Sequence, residues 1–588
     1  MRVVLGAKSD NKKQHLLITA LGIDARPSIY KFNENIYSAR LSPIALMHLL
    51  PEQLRPHRIV ALCTTKAEKE TLPVLQQGVD IPVEPVSIPA GRDKGELWNI
   101  LQIILGQIPA GSRVTLDLTQ GFRSYPFLFF TAALFLKALR GVDVNAVYYG
   151  MFEAKLKTED GQEVSPIVDL YPLLEMVEWF YATRMFRETG QAHLLSQRLS
   201  RFERPPQGAG REECQKYGMV KGLRSSIEKF ALQYGQALPL ELGLQAEELN
   251  KRLCNPMPEH LKSEMPVSEE LFQVISDFIH PFISDNVAKP LKNKLELNQA
   301  ELARQARVID TYMDQGYTNY ALGLIREWMV SVVMWHRGVA APGSWLELNG
   351  KSGREAAERR LGAVRNLLKE HKDILSEGEM WLAQRWNTLS SLRNKLAHHG
   401  FRPEESLIRQ SQLNEIKQLW EELKNSLELP AKWDVEIAGG RGTLLVSPLG
   451  LSKGLLFSAL RHTNPDSLLV LTSRDAAYHI DDICARAGWV GEKLPNCIME
   501  DPHSGFHEAD DIAESVAEYL LKADKIVLNI TGGTTALQYM AQKMGAKARQ
   551  MDREVEQVAL VDRRSPQEQK DDPFTLGELI KLGLSTEE

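Results

Sequence analysis

The sequence predicts a multidomain protein in which two parallel-sheet α/β domains flank an all-α domain. Short β-rich runs separated by helical stretches occur over residues 1–165 and again over residues 435–588, a pattern typical of parallel sheets covered by helices. Residues 166–430 contain almost no β-branched runs and place apolar residues three and four positions apart, which is helical spacing. At 588 residues the chain has room for about three or four such domains.

In the first region, strands are predicted where short aliphatic runs lie between helical stretches. The most apolar run, Pro126–Leu136, stops at Lys137, well short of the roughly 20 residues that cross a bilayer. We therefore expect no membrane span, and expect this run to form a helix behind the turn that it follows, beside a dimer surface. The predicted strands are Arg2–Leu5, Arg58–Cys63, Arg113–Asp117 and Val144–Tyr149.

The two remaining regions are read in the same way. Long helices are predicted over Ile309–Trp335 and Met380–His399, and loops where Pro and Gly cluster in Arg204–Arg211 and Asn255–Pro258. The glycines at positions 439, 440 and 442 predict a hinge before the third region. The predicted strands there are Thr443–Val446, Leu468–Thr472, Lys525–Ile530 and Val558–Val561.

Composition limits the function classes. Lys and Arg number 70 against 76 Asp and Glu, a net charge of −6, so a nucleic-acid site must be local rather than spread over a basic surface. The five cysteines are scattered and form no CxxC pair, which argues against a zinc ribbon or a disulfide framework. The N-terminal stretch does not have the pattern of a signal peptide. We expect a cytoplasmic protein.

Two turns rich in Thr and Gly directly follow late strands of the two α/β regions. They are Asp117–Arg123 and Asn529–Thr535. Ligands of open parallel sheets bind at the carboxyl ends of the strands, where amides at a helix N-terminus hold phosphate. A tight strand-to-helix turn with an N-cap is the structural alternative for either turn alone, but their corresponding placement favours ligand binding. Neither GxGxxG nor GxxxxGK[ST] is present, which disfavours dinucleotide binding and ATP hydrolysis.

The candidate ligand-binding residues combine three properties. Glycine lets the backbone approach a ligand, hydroxyls supply donors, and Arg adds a fixed charge with bidentate geometry. This chemistry suits a phosphodiester or nucleotide. The candidates are Thr119, Gln120, Gly121, Phe122 and Arg123 in the first turn, and Ser447, Thr531, Gly532, Gly533, Thr534 and Thr535 in or beside the second.

The segment Asp117–Pro126, followed by Ala146–Glu153, resembles the CRISPR-associated Rossmann fold (CARF) family. It is most similar to the branch in which the sensor precedes a HEPN ribonuclease domain in type III CRISPR ancillary ribonucleases. The turn Asn529–Thr535 resembles that of another CARF branch, in which a Lys often follows the Thr; here the position is Thr535. The resemblance implies two Rossmann-like domains and a cyclic oligoadenylate ligand of four or six adenylates, which some members of the family also cleave.

A second motif, Arg393-Asn394-Lys395-Leu396-Ala397-His398, lies at the end of a predicted helix. Asn394 and His398 are four residues apart, so they share one side of the helix and can form a hydrogen bond, whereas Leu389, Leu392 and Leu396 form an apolar stripe. A basic helix end is the structural alternative. On a straight helix Arg393 points about 140° away from His398, so the two converge on one phosphate more easily across a dimer interface.

This segment resembles the signature of HEPN ribonucleases, which implies that paired Arg393 and His398 residues form a metal-independent site, with Asn394 beside them and His399 as the alternative histidine. His acts as general acid or base and Arg stabilises the phosphorane, giving a 2′,3′-cyclic phosphate. A partner helix is expected at Tyr317–Trp328, whose Arg326 and Glu327 we expect to form a solvated ion pair. No cofactor or metal is expected.

The leading hypothesis is a homodimeric, cyclic oligoadenylate-activated endoribonuclease that cuts single-stranded RNA in type III CRISPR antiviral defence. The third region is either a second sensor or a module that cleaves the ring. Two alternatives remain: a non-catalytic nucleotide-sensing scaffold, and a ring nuclease whose helical domain is a spacer. His503 and His507 lie among acidic residues, but Pro502 and Gly505 predict a loop there rather than a metal site.

Overall fold

The structure, a computed structural model, shows a mixed α/β protein with two mostly parallel sheets. It describes residues 14–158, 161–284, 291–348, 353–370, 372, 375–397, 409–435, 442–551 and 553–582. These residues form two compact units. The first contains the described residues up to Arg187 with Gln191–Arg224 and Pro256–Ile275. The second contains Glu188–Gly190, Ser225–Asn255 and the described residues from Ser276 onward.

The N-terminal sheet has the strand order of a doubly wound fold. Its strands run β3-β2-β9-β7-β6-β1-β4-β5, and the five from β7 to β5 in this order are parallel. The strands are β1 His15–Leu21, β2 Ser28–Phe32, β3 Asn35–Ala39, β4 Arg58–Cys63, β5 Val83–Ser87, β6 Arg113–Asp117, β7 Asp143–Gly150, β8 Leu156–Lys157 and β9 Glu163–Asp169. The order reverses between β1 and β6, so the turn after β6 lies at the topological switch point.

Both faces of this sheet are covered. Along β1, Leu16 and Ile18 pack into one apolar core and Leu17 and Leu21 into the other, as the two-residue period of a strand requires. The central strand is therefore buried throughout.

The helices up to residue 279 are Ser42–Leu49, Thr65–Glu70, Leu72–Gly78, Lys94–Gln107, Tyr125–Arg140, Tyr171–Thr189, His193–Leu199, Arg211–Gly235, Pro239–Leu253, Glu259–Glu264 and Ser268–Ile279.

A group of helices in the second unit packs around buried tryptophans. The indole of Trp328 contacts those of Trp420 and Trp433 edge to face, with ring centroids 5.1 and 5.9 Å away. The indole N–H of Trp420 donates to the Asp310 carboxylate over 2.6 Å. Such pairs satisfy the polar end of a large apolar side chain. The helices are Gln299–Asp314, Thr318–His336, Arg354–Glu370, Glu377–Ala397, Gln410–Asn425 and Pro430–Trp433.

The C-terminal sheet repeats the order of the N-terminal one, β12-β11-β10-β14-β15-β16, with β13 also paired to β11 and only β16 antiparallel. Its switch point lies between β10 and β14. The strands are β10 Thr443–Leu449, β11 Ser467–Thr472, β12 Glu492–Lys493, β13 Cys497–Ile498, β14 Lys525–Asn529, β15 Glu554–Val561 and β16 Glu578–Leu582. The helices are Lys453–Thr463, Arg474–Ala477, Ile480–Ala487, Ala509–Ser515, Ala517–Lys522, Thr535–Gln550 and Pro566–Asp571.

Most predicted elements are confirmed, and one helix is corrected. Strands form at each predicted position from Arg58 onward, whereas Arg2–Leu5 and the hinge glycines Gly439 and Gly440 lie outside the described residues. The helical stretch predicted over Ile309–Trp335 forms parts of two helices, because the first helix ends before Gly316, which has a φ of +80°. The three-domain division stays a prediction. Among the described residues, no helix is long and apolar enough to cross a bilayer.

Candidate functional site

The turn after β6 is built on a buried carboxylate. Asp117, the last residue of β6, is fully buried and accepts four hydrogen bonds. The hydroxyls of Thr19 and Ser42 donate to Oδ2 over 2.9 and 2.7 Å. The backbone N–H and the hydroxyl of Thr119 donate to Oδ1 over 3.1 and 2.6 Å. Burial raises the pKa of Asp117, and these donors oppose the rise because they stabilise the ionised form.

Thr119 links this carboxylate to the next strand. Its hydroxyl oxygen accepts the backbone N–H of Gly150, at the end of β7, over 2.9 Å, while its proton goes to Asp117. One residue earlier, the N–H of Leu118 donates to the carbonyl of Tyr148 over 2.8 Å. The Thr119 hydroxyl, predicted as a ligand donor, therefore already directs its proton into the turn. Thr119 positions the turn, and contact with a ligand stays a prediction.

The rest of the first turn faces outward. Gly121 has a φ of +97°, and a Cβ there would lie 2.6 Å from Cδ2 of Tyr125, so both conformation and space require glycine. Phe122 and Arg123 are exposed, and the ring of Phe122 meets that of Tyr125 edge to face. The buried Oε1 of Gln120 accepts no hydrogen bond within the described residues. The turn therefore combines a rigid backbone, a free acceptor and an exposed guanidinium.

The turn after β14 is built on the same plan with a neutral side chain. Asn529 ends β14 and is fully buried. Its Oδ1 accepts the N–H of Thr531 over 3.0 Å and the Thr531 hydroxyl over 2.7 Å. Its Nδ2 donates to the Ser447 hydroxyl and to the Thr531 carbonyl, both over 2.9 Å. Asn529 thus takes the place of Asp117, and Ser447 on β10 takes the place of Thr19 on β1.

The link to the next strand is also repeated. The Thr531 hydroxyl accepts the backbone N–H of Leu560 over 2.8 Å, as Thr119 accepts that of Gly150. The N–H of Ile530 donates to the carbonyl of Val558 over 3.0 Å. The Thr531 hydroxyl proton is directed into the turn, and Ser447 is fully buried beneath it. Both are positioning residues in this structure, and their predicted ligand contacts stay predictions.

Two glycines bring a neighbouring loop against the second turn. Gly532 and Gly533 have φ angles of +99° and +67°. The loop after β10 comes so close to them that a Cβ added to Gly450 would lie 2.8 Å from the Gly533 Cα. Thr534 caps the helix Thr535–Gln550, because its hydroxyl accepts the N–H of Leu537. Thr535 begins the helix and is exposed. Backbone amides at the start of this helix are the available anion donors.

Sequence reasoning found both turns but missed the residues that hold them. Thr19, Ser42 and Gly150 support the first turn, and Leu560 supports the second. One usable signal is a hydroxyl inside a fully buried strand, since Thr19 interrupts the run His15–Leu21. A buried hydroxyl requires a hydrogen-bond partner, so such a position indicates a polar network nearby.

The helix Glu377–Ala397 carries the second motif. A capping box starts it, because the N–H of Glu379 donates to the Ser376 hydroxyl over 3.1 Å and the Glu379 carboxylate accepts the N–H of Ser376 over 2.8 Å. Leu389 and Leu392 are buried, as the apolar stripe predicts, and Arg393 and Asn394 are exposed. The side chain of Leu396 and the whole of His398, His399 and Gly400 lie outside the described residues.

The partner helix contacts this element through a charged network. Arg326 pairs with Glu358 and, over 2.9 Å, with Glu327, and its guanidinium lies over the Trp386 ring at 5.4 Å. The Glu327 carboxylate also accepts from Arg354 over 3.0 Å. The expected ion pair therefore forms, but Arg326 is only 21% exposed and belongs to a network that joins three helices. Arg326 thus links this helix to helix Glu377–Ala397 through Trp386, whereas Glu327 links it to helix Arg354–Glu370 through Arg354.

Comparisons with known proteins identify CRISPR-associated relatives. CRISPR-associated protein MJ1674 of Methanocaldococcus jannaschii is 30% identical over 112 residues, 18% of this chain and 17% of the relative. The match thus spans about a sixth of that relative's length. The resemblance to CRISPR-associated proteins inferred from the motifs is confirmed at this level. No protein-family model matches the chain.

Two solved structures show a distant likeness. Enterococcus italicus Csm6 bound to cyclic hexa-2′-fluoro-hexa-dAMP is 12% identical with a TM-score of 0.34, over 72% of this chain and 96% of that one. A type III CRISPR defence DNA nuclease activated by cyclic oligoadenylate is 10% identical with a TM-score of 0.17, over 93% of this chain and 65% of that one.

Proposed function

We propose that this protein is a cyclic oligoadenylate-responsive ancillary protein of type III CRISPR defence that cleaves single-stranded RNA when its ligand is bound. The observation that carries the proposal is the repeated turn at the switch points of the two sheets, where ligands of parallel α/β sheets bind. The CRISPR-associated relative supports the same assignment. Under this proposal, residues 1–165 form a CARF-like sensor, 166–430 a HEPN domain and 435–588 a second CARF-like domain.

In the sensor, four groups of the first turn hold the ligand. Backbone amides near Gly121 approach a phosphodiester, and Arg123 supplies positive charge on the exposed side. The unused acceptor of Gln120 takes a donor of the ligand, such as an amino or hydroxyl group of a nucleoside, because a buried acceptor without a partner is costly. Phe122 offers an exposed ring for stacking against a base.

The ribonuclease reaction needs no cofactor or metal. A 2′-hydroxyl of the RNA attacks the adjacent phosphorus, the bond to the 5′-oxygen breaks, and a 2′,3′-cyclic phosphate and a 5′-hydroxyl result. His398, with His399 as the alternative, takes the 2′-hydroxyl proton or protonates the leaving oxygen. Arg393 stabilises the phosphorane charge and Asn394 orients the imidazole. The site is composite, with Arg393 and the histidine contributed across a two-fold axis.

The composite site requires a homodimer, and the first unit presents a suitable apolar surface. Phe127 and Leu139 on helix Tyr125–Arg140 are 78% and 71% exposed, and Leu173 on the next helix is 52% exposed. Beside them lies an apolar groove of about 210 Å³ between the two helices. Exposed apolar patches of this kind mark interaction sites. We assign this face to a second copy of the chain.

The proposal is tested by cleavage of a fluorogenic single-stranded RNA in EDTA, with cyclic tetra-adenylate or cyclic hexa-adenylate added. We expect one ring to stimulate cleavage and Arg393→Ala to reduce the stimulated rate by at least about 100-fold, the scale of losing one electrostatic donor. Asn387→Ala is the matched control, because Asn387 is exposed two turns earlier on the same helix. Absence of cleavage with both rings contradicts the ribonuclease proposal and leaves the scaffold or ring-nuclease alternative.

A second function, cleavage of the ring itself, belongs to the C-terminal domain. It would limit the response by removing the activator. The observation that favours it is a loop carrying two histidines that reaches the second turn, where the Thr534 hydroxyl donates to the carbonyl of Pro502. Decay of the ring in the absence of RNA, followed by chromatography, tests this function, and a ring that persists contradicts it.

A further inference from the structure

A half-buried cluster of charges joins the helix that begins after the first turn to the next helix of the chain. The Lys137 ammonium lies 2.8 Å from the Glu178 carboxylate and donates to the Tyr171 hydroxyl over 3.1 Å. It also lies over the Tyr171 ring, 4.9 Å from the centroid. The side chains of Lys137 and Glu178 are only 17% and 16% exposed. Lys137 belongs to helix Tyr125–Arg140, and its two partners belong to helix Tyr171–Thr189.

The same carboxylate also binds a cation of a third helix. Arg198, on helix His193–Leu199, forms an ion pair with Glu178 and is also 16% exposed. One turn earlier on the helix of Glu178, the Glu175 carboxylate pairs with Arg201 over 2.5 Å. Burial, reinforced by the nearby charge of Arg201, lowers the pKa of Arg198. Ion pairs that are largely removed from water contribute little net stability, so stability alone does not account for this cluster.

Arg198 has a second carboxylate within reach. Its Nη1 is buried, forms no hydrogen bond with the described residues and lies 3.8 Å from the Glu175 carboxylate. Because a buried N–H without an acceptor is costly, a small shift that closes this distance is favourable for Arg198. The helix that carries Arg198 therefore has two discrete arrangements available, in which the guanidinium pairs mainly with Glu178 or mainly with Glu175.

Helix Tyr125–Arg140 connects the first turn to this cluster. The helix begins at the turn, where Gly121 packs so closely that an added Cβ would lie 2.6 Å from the Tyr125 side chain. Lys137 follows on the same helix, about 18 Å along its axis at 1.5 Å per residue. Because packed contacts deform in discrete steps, a small displacement of the helix at the turn is converted into a change of partner at Lys137.

We infer that the Glu178 carboxylate is a switch through which a ligand at the first turn acts on the helices that follow the sensor. The inference rests on the proposed function, because it requires a ring at this turn. A bound ring displaces helix Tyr125–Arg140, and Lys137 draws the Glu178 carboxylate with it. Arg198 then transfers its pairing to Glu175, and its helix shifts with it. The binding free energy of the ring thereby favours one of two arrangements, as activation by a ligand requires.

The experiment removes the second partner of Arg198 and leaves the first in place. Glu175→Gln keeps both ion pairs of Glu178 but offers Arg198 no second negative charge. Glu203→Gln is the matched control, because Glu203 is also a half-buried carboxylate and pairs with Arg224 in the same unit. The full chain is assayed for RNA cleavage at saturating cyclic tetra-adenylate or cyclic hexa-adenylate, and for ring affinity by a gel-shift assay with radiolabelled ring.

We expect Glu175→Gln to lower the stimulated rate about tenfold, a typical size for coupling between two sites. Ring affinity and the rate without ring should match wild type, and Glu203→Gln should match wild type throughout. A stimulated rate in Glu175→Gln equal to that of wild type overturns the inference. A loss of ring affinity with an unchanged plateau also overturns it, because that result places Glu175 at the ligand rather than in a switch.

Hydrogen exchange provides a second measurement, which does not depend on RNA cleavage. In wild type the ring should change exchange in helices Tyr125–Arg140 and Tyr171–Thr189, whereas in Lys137→Met it should change exchange only in the first. A change confined to the first helix in wild type overturns the inference. If the ring neither changes exchange nor stimulates cleavage, the proposed ligand is wrong, which distinguishes failure of the proposed function from failure of this inference.

Discussion

The turns after β6 and β14 share one hydrogen-bonding arrangement but are built on buried residues of different charge. Asp117 and Asn529 occupy the same place at the end of the fourth parallel strand, and each fixes a Thr two residues later, whose hydroxyl accepts from the next strand. The first site surrounds an anion with four donors, whereas the second uses an amide that both donates and accepts. The comparison shows that a buried polar residue builds each turn and that different residues face outward from the two turns.

The outward residues differ accordingly. The first turn has a buried negative charge behind it and presents Arg123, whereas the second has a neutral amide behind it and begins its helix with Thr535. Under our proposal, the guanidinium of Arg123 would offset the charge of the Asp117 carboxylate when an anionic ligand binds at the first turn. The second turn has no such charge to offset and is covered instead by the loop that carries His503. We interpret the first turn as the sensor and the second as the cleaving site.

The largest effect is expected when a carboxylate is placed in the second turn. In Asn529→Asp, a carboxylate oxygen would face the carbonyl of Thr531, which now accepts from Nδ2. We expect a loss of about 3–5 kcal/mol, the cost of an uncompensated buried charge, seen as a lower melting temperature at pH 7. The loss should shrink as the pH falls, because a protonated carboxyl can donate to Thr531. An unchanged melting temperature would show that the second turn accommodates a carboxylate as the first does, which would contradict the difference between the two networks.

The next largest effect is a difference in destabilisation between alanine substitutions at the glycines of the two turns. Gly121→Ala places a Cβ at a φ of +97° and 2.6 Å from Tyr125, so we expect a destabilisation of about 2–4 kcal/mol from strain and overlap. At Gly532, with a φ of +99°, the nearest atom to a Cβ is the Pro448 carbonyl oxygen at 3.2 Å, so Gly532→Ala should cost about 1–2 kcal/mol. Equal melting temperatures for the two variants would contradict this account of the first turn.

Removing the linking hydroxyls should affect both turns alike. Thr119→Val and Thr531→Val each leave a strand N–H, that of Gly150 or Leu560, without its acceptor. We expect about 1–3 kcal/mol for each, the cost of an unsatisfied buried donor. Thr119→Ser and Thr531→Ser keep the hydroxyl and serve as controls in the same thermal unfolding experiment. If the valine variants match the serine variants, the hydroxyls do not hold the turns.

The smallest effect is a pH dependence present only in the first turn. Burial raises the pKa of Asp117 above 3.8, so the folded protein keeps this proton at a higher pH than the unfolded chain does. The contribution of this site to stability therefore falls as the pH rises from about 4 through the raised pKa. Asp117→Asn should remove that slope at a cost of about 1 kcal/mol at low pH. If the curves of melting temperature against pH are parallel for wild type and Asp117→Asn, the raised pKa of Asp117 is contradicted.

Much of this organisation could be predicted from the sequence. The positions of both turns follow from short strands ended by Thr and Gly, and the exposure of Asn394, opposite the buried Leu389 and Leu392, follows from helical spacing. The strand His15–Leu21 was not predicted, although it is buried on both faces like the predicted strand Arg58–Cys63. The hairpin of β2 and β3 was missed because its turn at Asn33, with a φ of 53°, carries no glycine.

The roles of the hydroxyls could not be predicted for a different reason. Thr119 accepts from Gly150 and Thr531 from Leu560, partners about 30 residues away that only strand pairing brings close. A sequence shows that a Thr follows a strand, but it does not show whether the hydroxyl faces the next strand or the solvent. In the structure, the residues predicted from the sequence to contact a ligand therefore fall into two groups. One group supports the turns, and the other faces outward.

We propose that ligand binding at the first turn controls cleavage of RNA. It is tested most directly by the initial rate of single-stranded RNA cleavage against the concentration of the activating ring, for wild type and Arg123→Ala. The account predicts saturable stimulation in the wild type, and in Arg123→Ala a half-maximal concentration about tenfold higher, because a charge-assisted contact worth about 1.4 kcal/mol is lost, with the same plateau. A cleavage rate that does not depend on the ring, or two superimposed curves, would contradict it.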